Sequence, residues 1–213
     1  ASPMQPAQQL APTDHPTTDT PQLVTSTPTL ALSTRTPTPT SNFGSVAGYD
    51  LAFASDRNGD FNIILMNTAN RSTWKSLPPP DNYELVWWPS FCGPYVAGEV
   101  ADLTGSLPQR IYLADPVKDS NFLWSPANAG SSLGVPRCSP NGEYLAYSIN
   151  AAASEWNLMV ARLDGSAPFL VDDDGISGYA SWSPDNTRLY SMASVGGAFD
   201  IRYVDNLLAR TNL

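Results

Sequence analysis

The chain has 213 residues, 42% hydrophobic and 10% aromatic but only 15% charged, and it carries a net charge of −9 with a sequence pI near 4.3. Helical proteins draw on Lys and Glu for their outer faces, so 20 prolines, 14 glycines and just two lysines, Lys75 and Lys118, point to an all-β body. Nucleic acids and anionic lipid surfaces are held by clustered cations; there are none, which argues against both as partners.

Residues 1–42 hold eight of the 20 prolines, eleven threonines and no aromatic residue, with the run Thr25-Ser26-Thr27-Pro28-Thr29 echoed by Thr36-Pro37-Thr38-Pro39-Thr40. Such a segment buries too little apolar area to offset backbone ordering, so it is expected to be a disordered, extended Pro/Thr-rich stalk. The only histidine, His15, lies inside it. The chain starts at Ala1 without a methionine or a charged-then-apolar leader, which suggests a processed or truncated start, with an anchor upstream. No stretch reaches the roughly 20 apolar residues of a membrane span, so direct membrane insertion is not expected.

From Phe43 the composition changes. Gly48 to Ser55 reads as a strand, Asp56-Arg57-Asn58-Gly59-Asp60 as a turn, Phe61 to Asn67 as a strand apolar on both faces, and Thr73 to Leu77 as a further strand before Pro78-Pro79-Pro80. The second unit opens on Glu84-Leu85-Val86-Trp87-Trp88-Pro89-Ser90 and continues through Tyr95 to Gly98 and Arg110 to Asp115. The third and fourth carry Arg137-Cys138-Ser139-Pro140-Asn141-Gly142 and Ser181-Trp182-Ser183-Pro184-Asp185-Asn186, with Pro140 and Pro184 forty-four residues apart. Second strands align on Leu51, Val96, Leu145 and Leu189, in steps of 45, 49 and 44 residues, and third strands on Ile63, Ile111, Leu158 and Ile201, 12 to 15 residues later. Repeats of this size are blades, each too small to bury its own faces, so they must stack. The expected boundaries are 43–82, 83–130, 131–175 and 176–213, preceded by the stalk at 1–42.

These pieces resemble the TolB-like β-propeller family, exported or lipoprotein-like bacterial members of which repeat Trp-Ser-Pro-Asp-Gly, an apolar strand, Ser-Asp-Arg-Asp-Gly and an Ile-Tyr-Val-Met-Asp-like strand. The matches are Trp182 to Asn186, Ser139 to Gly142, and Phe53 to Asp60 with Ile63 to Asn67. The resemblance implies an all-β propeller of about four visible four-stranded antiparallel blades. Such rings usually close with six or more, so the array is expected to be part of a larger one, with closure by four blades as the alternative.

Chemistry is sparse. Gly130-Ser131-Ser132-Leu133-Gly134 fits Gly-x-Ser-x-Gly, but a nucleophile elbow needs a strand-to-helix turn and a general base, and the folded region has no histidine. Two cysteines without histidine cannot make a four-ligand zinc site; Asp56 to Asp60 lacks the glutamate of a calcium loop, and Asp172-Asp173-Asp174-Gly175 reads as a solvated turn. No cofactor, metal or catalytic residue is therefore expected. Cys92 and Cys138 carry two open readings: a disulfide between neighbouring blades, or a small buried residue where Trp182 stands in the next repeat. Trp87 and Trp88, adjacent on a strand, should face opposite ways. The candidate binding residues are Trp87, Asp56, Arg57, Arg137 and Tyr179. The expected function is a non-catalytic, extracytoplasmic binding or scaffold module that meets a protein or glycan through blade-end loops or the central channel. Its rivals are the accessory propeller of a peptidase or hydrolase and the sensor domain of a membrane receptor kinase.

Overall fold

The structure, a computed structural model, describes residues 45–57, 59–72, 74–127, 132–152, 155–172, 179–195 and 198–207. In chain order these form β1 (Leu51–Ser55), β2 (Asn62–Met66), β3 (Trp74–Leu77), β4 (Leu85–Cys92), β5 (Tyr95–Ala101), β6 (Arg110–Asp115) and β7 (Ser120–Trp124). They continue as β8 (Leu133–Cys138), β9 (Tyr144–Ala152), β10 (Glu155–Arg162), β11 (Phe169–Asp172), β12 (Ala180–Trp182), β13 (Arg188–Val195) and β14 (Ala198–Asp205). The strands pair with their chain neighbours into four antiparallel sheets, β1-β2-β3, β4 to β7, β8 to β11 and β12-β13-β14. Each sheet is one repeat of the sequence, and the chain is a β-propeller array. In the first repeat β1 aligns with the second strands of the others, and Val46 and Tyr49 form an isolated bridge just ahead of it.

The Ser-Pro-Asx signature is a turn latch. Ser139 and Ser183 are buried, and their Oγ atoms accept from the amides of Tyr144 at 3.0 Å and Arg188 at 2.8 Å, while donating to Asn141 and Asp185 at 2.6 Å each. The hydroxyl thereby satisfies an amide at the base of the hairpin, which is why serine recurs there.

The sheets stack through alternate residues of the same strands. On β6, Tyr112 joins Ile63, Leu65, Val86 and Val96 against the first sheet, whereas Ile111 and Leu113 join Leu133, Leu145, Tyr147 and Met159 against the third. On β10, Met159 faces the second sheet while Leu158 and Val160 meet Ala180 and Leu189 of the fourth and Leu207 just after it. Period-two alternation thus explains strands that are apolar at every position: each face has its own neighbour.

Cross-sheet ties reinforce this packing. Cys92 and Cys138 form a disulfide across the second and third sheets with Cα atoms 5.2 Å apart, and the two readings of the sequence merge, because Cys138 occupies the place held by Trp182 in the next repeat. Trp182 makes its own tie, its indole Nε1 donating to the Arg137 carbonyl at 2.9 Å. Trp124 Nε1 likewise reaches the Leu163 carbonyl at 2.8 Å. Between the turns, Gly142 has φ 72° and lies so close to Gly93 that a Cβ would stand 2.7 Å from its backbone nitrogen, so only glycine fits. β14 differs from the other third strands, with Phe199, Ile201 and Tyr203 exposed along one face.

Candidate functional site

The inner strands β4, β8 and β12 place Ser90, Arg137 and Ser181 at one register position, opposite Ala97, Ala146 and Tyr190 of their partner strands. Equivalent positions on successive blades face the same space. These residues line a recess of about 410 Å³ with Phe91, Trp182 and Pro140. It opens beside the first-to-second-strand turns, since Gly93 and Ser139 border it too.

Two bulges shape its inner wall. The β4–β5 register shifts between Trp87 and Ser90, and the β8–β9 register between Gly134 and Arg137. The extra residues, Trp88 at φ 54° and Val135 at φ 48°, each precede a proline and each take a left-handed conformation that non-glycine residues seldom adopt. Strain of that kind persists only where surrounding contacts over-determine it, and it concentrates at functional sites.

Trp88 is the extra residue of the β4 bulge, beside Trp87, which pairs with Glu99 on β5. Trp88, rather than Trp87, joins the site: its ring packs edge-on against Tyr179 with centroids 5.5 Å apart, and the Arg137 guanidinium lies 5.8 Å from its centroid. Trp87 is half-buried opposite Glu99 on β5. Arg137 and Tyr179 are therefore brought together from the third and fourth repeats, with Trp88 of the second.

Arg137 donates through Nη1 to the carbonyls of Pro136 at 2.9 Å and Trp88 at 3.4 Å. No carboxylate pairs with it among the described residues, whereas Arg188 pairs with Asp205 and Arg202 with Asp172. Burial lowers its pKa, because removing water disfavours the charged form.

Behind the bulge, the buried Glu99 carboxylate accepts from the Val135 amide at 2.7 Å. Desolvation raises its pKa and that hydrogen bond opposes the rise. A Cβ on Gly134 would come within 2.7 Å of Glu99 Oε2, so the small residue makes room for the carboxylate.

Asp56 and Arg57 stand apart. They occupy the β1–β2 turn, a second-to-third-strand loop at the end of the blade opposite the Ser-Pro turns. Arg57 is held locally, donating through Nε to Ser55 Oγ at 3.1 Å and lying 4.8 Å from the Phe53 ring centroid. The Gly130 to Gly134 motif falls partly outside the described residues, but its Ser132 runs directly into β8, a strand. Asp172 closes β11 near Arg202, and the rest of that acidic run lies outside the described residues. Among the described residues no cluster of His, Cys, Asp or Glu could hold a metal ion, and no helix is long and apolar enough to cross a membrane.

Four stacked antiparallel sheets, with a recess lined by the inner strands of the second, third and fourth, define the class, a β-propeller. More particularly, the fold is that of TolB-like propellers. It is similar to TolB from Acinetobacter baumannii, with a TM-score of 0.58 at 13% identity over 73% of this chain and 38% of that one. It is also similar to a TolB homologue from Agrobacterium tumefaciens described as a putative TolB, with a TM-score of 0.53 at 17% identity over 73% of this chain and 51% of that one. The chain thus spans between 38% and 51% of the length of those two proteins. No protein-family model matches the sequence, and no curated protein is similar to it.

Proposed function

We propose that the chain is a non-catalytic binding module that works outside the cytoplasm and engages a protein or glycan partner at the recess between its inner strands. The carrying observation is Arg137, a partly desolvated cation without an ion-pair partner among the described residues, flanked by Trp88 and Tyr179 from neighbouring blades. Free cations and aromatic side chains at a concave surface are the usual anchors of recognition. Two of the hydroxyls around it have structural duties: Ser139 latches its turn, and Ser90 Oγ accepts from the Cys138 amide at 3.0 Å. Among the described residues no histidine or carboxylate is hydrogen-bonded to Ser90, the arrangement a nucleophile would need, which supports the binding reading.

The Cys92–Cys138 disulfide supports an oxidising compartment, because such bonds persist outside the cytoplasm. The Thr/Pro-rich segment at 1–42 supports a tethered role. The test pairs two measurements. Peptide, ester and polysaccharide substrates should remain intact on incubation with the protein, and turnover that survives purification would refute the reading. A photo-cross-linking residue at Ser181 should also capture the partner more strongly than one at Phe122 on the outer strand β7; equal capture would place recognition elsewhere.

A further inference from the structure

We infer that the recess is a receptor for a carboxylate carried by an acidic peptide segment, with Arg137 as the group that binds it. This rests on the binding-module reading above and adds the ligand's chemistry. A guanidinium presents five donors in a rigid fork whose spacing matches a carboxylate. In Arg137 one nitrogen, Nη1, is directed to the carbonyls of Pro136 and Trp88, which fix the side chain without neutralising its charge. Arg137 lines the recess together with Ser90 and Ser181.

Among the described residues no carboxylate pairs with Arg137. Glu99, the buried carboxylate behind the same bulge, is turned to the Val135 amide, and Asp205 and Asp172 pair with Arg188 and Arg202. A partly desolvated cation with no counter-charge among the described residues gains most from an anion that brings one. Because the whole chain is acidic, long-range steering opposes such a ligand, and affinity must come from the short-range fork.

A peptide is favoured over a sugar by the aromatic geometry. A pyranose stacks best on an uncommitted ring face, and the part-exposed Trp88 ring is already contacted by Arg137 and by the Tyr179 ring, while Trp182 is half-buried with its indole nitrogen tied to the Arg137 carbonyl. The recess itself sets the polar groups of Arg137, Ser90 and Ser181 among apolar surface from Phe91, Pro140 and Trp182, suited to an extended chain carrying Asp or Glu.

Calorimetry on the full chain tests this, with acetyl-Asp-Glu-Asp-amide, its isosteric counterpart acetyl-Asn-Gln-Asn-amide and a uronic-acid trisaccharide as probes. Saturable binding is expected for the acidic peptide alone. Arg137→Gln should weaken it by about tenfold or more and Arg137→Lys less, because lysine keeps the charge and loses the fork. Ser181→Asp, which sets a carboxylate in the same recess, should block binding while near-ultraviolet circular dichroism stays unchanged. No binding of the acidic peptide, equal binding of the amide peptide, binding of the trisaccharide instead, or indifference to Arg137→Gln and Ser181→Asp would each overturn the inference. Loss of the carboxylate preference with cross-linking through position 181 retained would remove this inference alone; cleavage of the peptide would instead remove the binding-module reading.

Discussion

Leu158 on β10 and Ile201 on β14 occupy the same place in two consecutive repeats, yet Leu158 is 1% exposed and Ile201 is 75% exposed. Ile63 and Ile111, their counterparts in the first two repeats, are both fully buried at 0%. Leu158 packs on Ala180 and Leu189 of the next sheet and on Leu207 just after it, whereas Phe199, Ile201 and Tyr203 present the same kind of face to solvent. The difference teaches that burial here belongs to a pair of sheets and not to a strand. A repeat encodes two apolar faces, and each becomes core only when a neighbour covers it.

The largest effects should therefore come from the covered copy. Leu158→Ala should cost about 2–5 kcal/mol through lost burial and cavity formation, while Ile201→Ala should cost well under about 1 kcal/mol. Denaturant midpoints of the two variants would make the comparison, and equal losses would break it.

The ties between sheets extend it. The second and third sheets are joined covalently by Cys92 and Cys138, which close a loop of 46 residues; the third and fourth have a hydrogen bond from Trp182 at the corresponding place. Replacing both cysteines by alanine should cost about 2–4 kcal/mol, mostly through the freed unfolded chain. Trp182→Phe keeps the ring but orphans the Arg137 carbonyl, and should cost about 1 kcal/mol. Calorimetric unfolding of both variants would rank the ties; a larger loss from Trp182→Phe would reverse the account.

Glu99 gives the smallest and most pH-specific effect. Its pKa in the folded protein is raised above the ordinary value of 4.5, so the fold favours the protonated acid. The stability this contributes is fully present below the ordinary value and is lost as pH rises through the raised one. Glu99→Gln keeps an acceptor for the Val135 amide and carries no charge, so its stability should not show that decline. Parallel pH profiles of wild type and variant would contradict the burial argument.

Strand positions, the Ser-Pro-Asx turns and the repeat period were legible in the residues because each is local: alternation, turn chemistry and spacing need no knowledge of the neighbour. The site was legible only in part. Arg137 and Tyr179 were accessible as a cation beside an inner strand and an aromatic just ahead of one, but their meeting with Trp88 depends on three repeats converging. The bulge that brings Trp88 into the site had a signal, proline inside a strand at Pro89 and Pro136, since proline there marks an irregularity. Its conformation had none, because residues before proline ordinarily stay extended. Asp56 and Arg57 matched the repeat's turn motif equally well, yet antiparallel connectivity sends that loop to the other end of the blade. Glu99 gave no sign, since a lone glutamate in an apolar strand acquires its role from the bulge it faces.

The central claim, that recognition occurs between the inner strands and is anchored by Arg137, is tested most directly by hydrogen–deuterium exchange on the full chain with and without acetyl-Asp-Glu-Asp-amide. Slowed exchange at 132–138 and 179–182, with 101–109 and 59–61 unchanged, is the result the account predicts. Protection confined to those second-to-third-strand loops, with the inner strands unaffected, would contradict it.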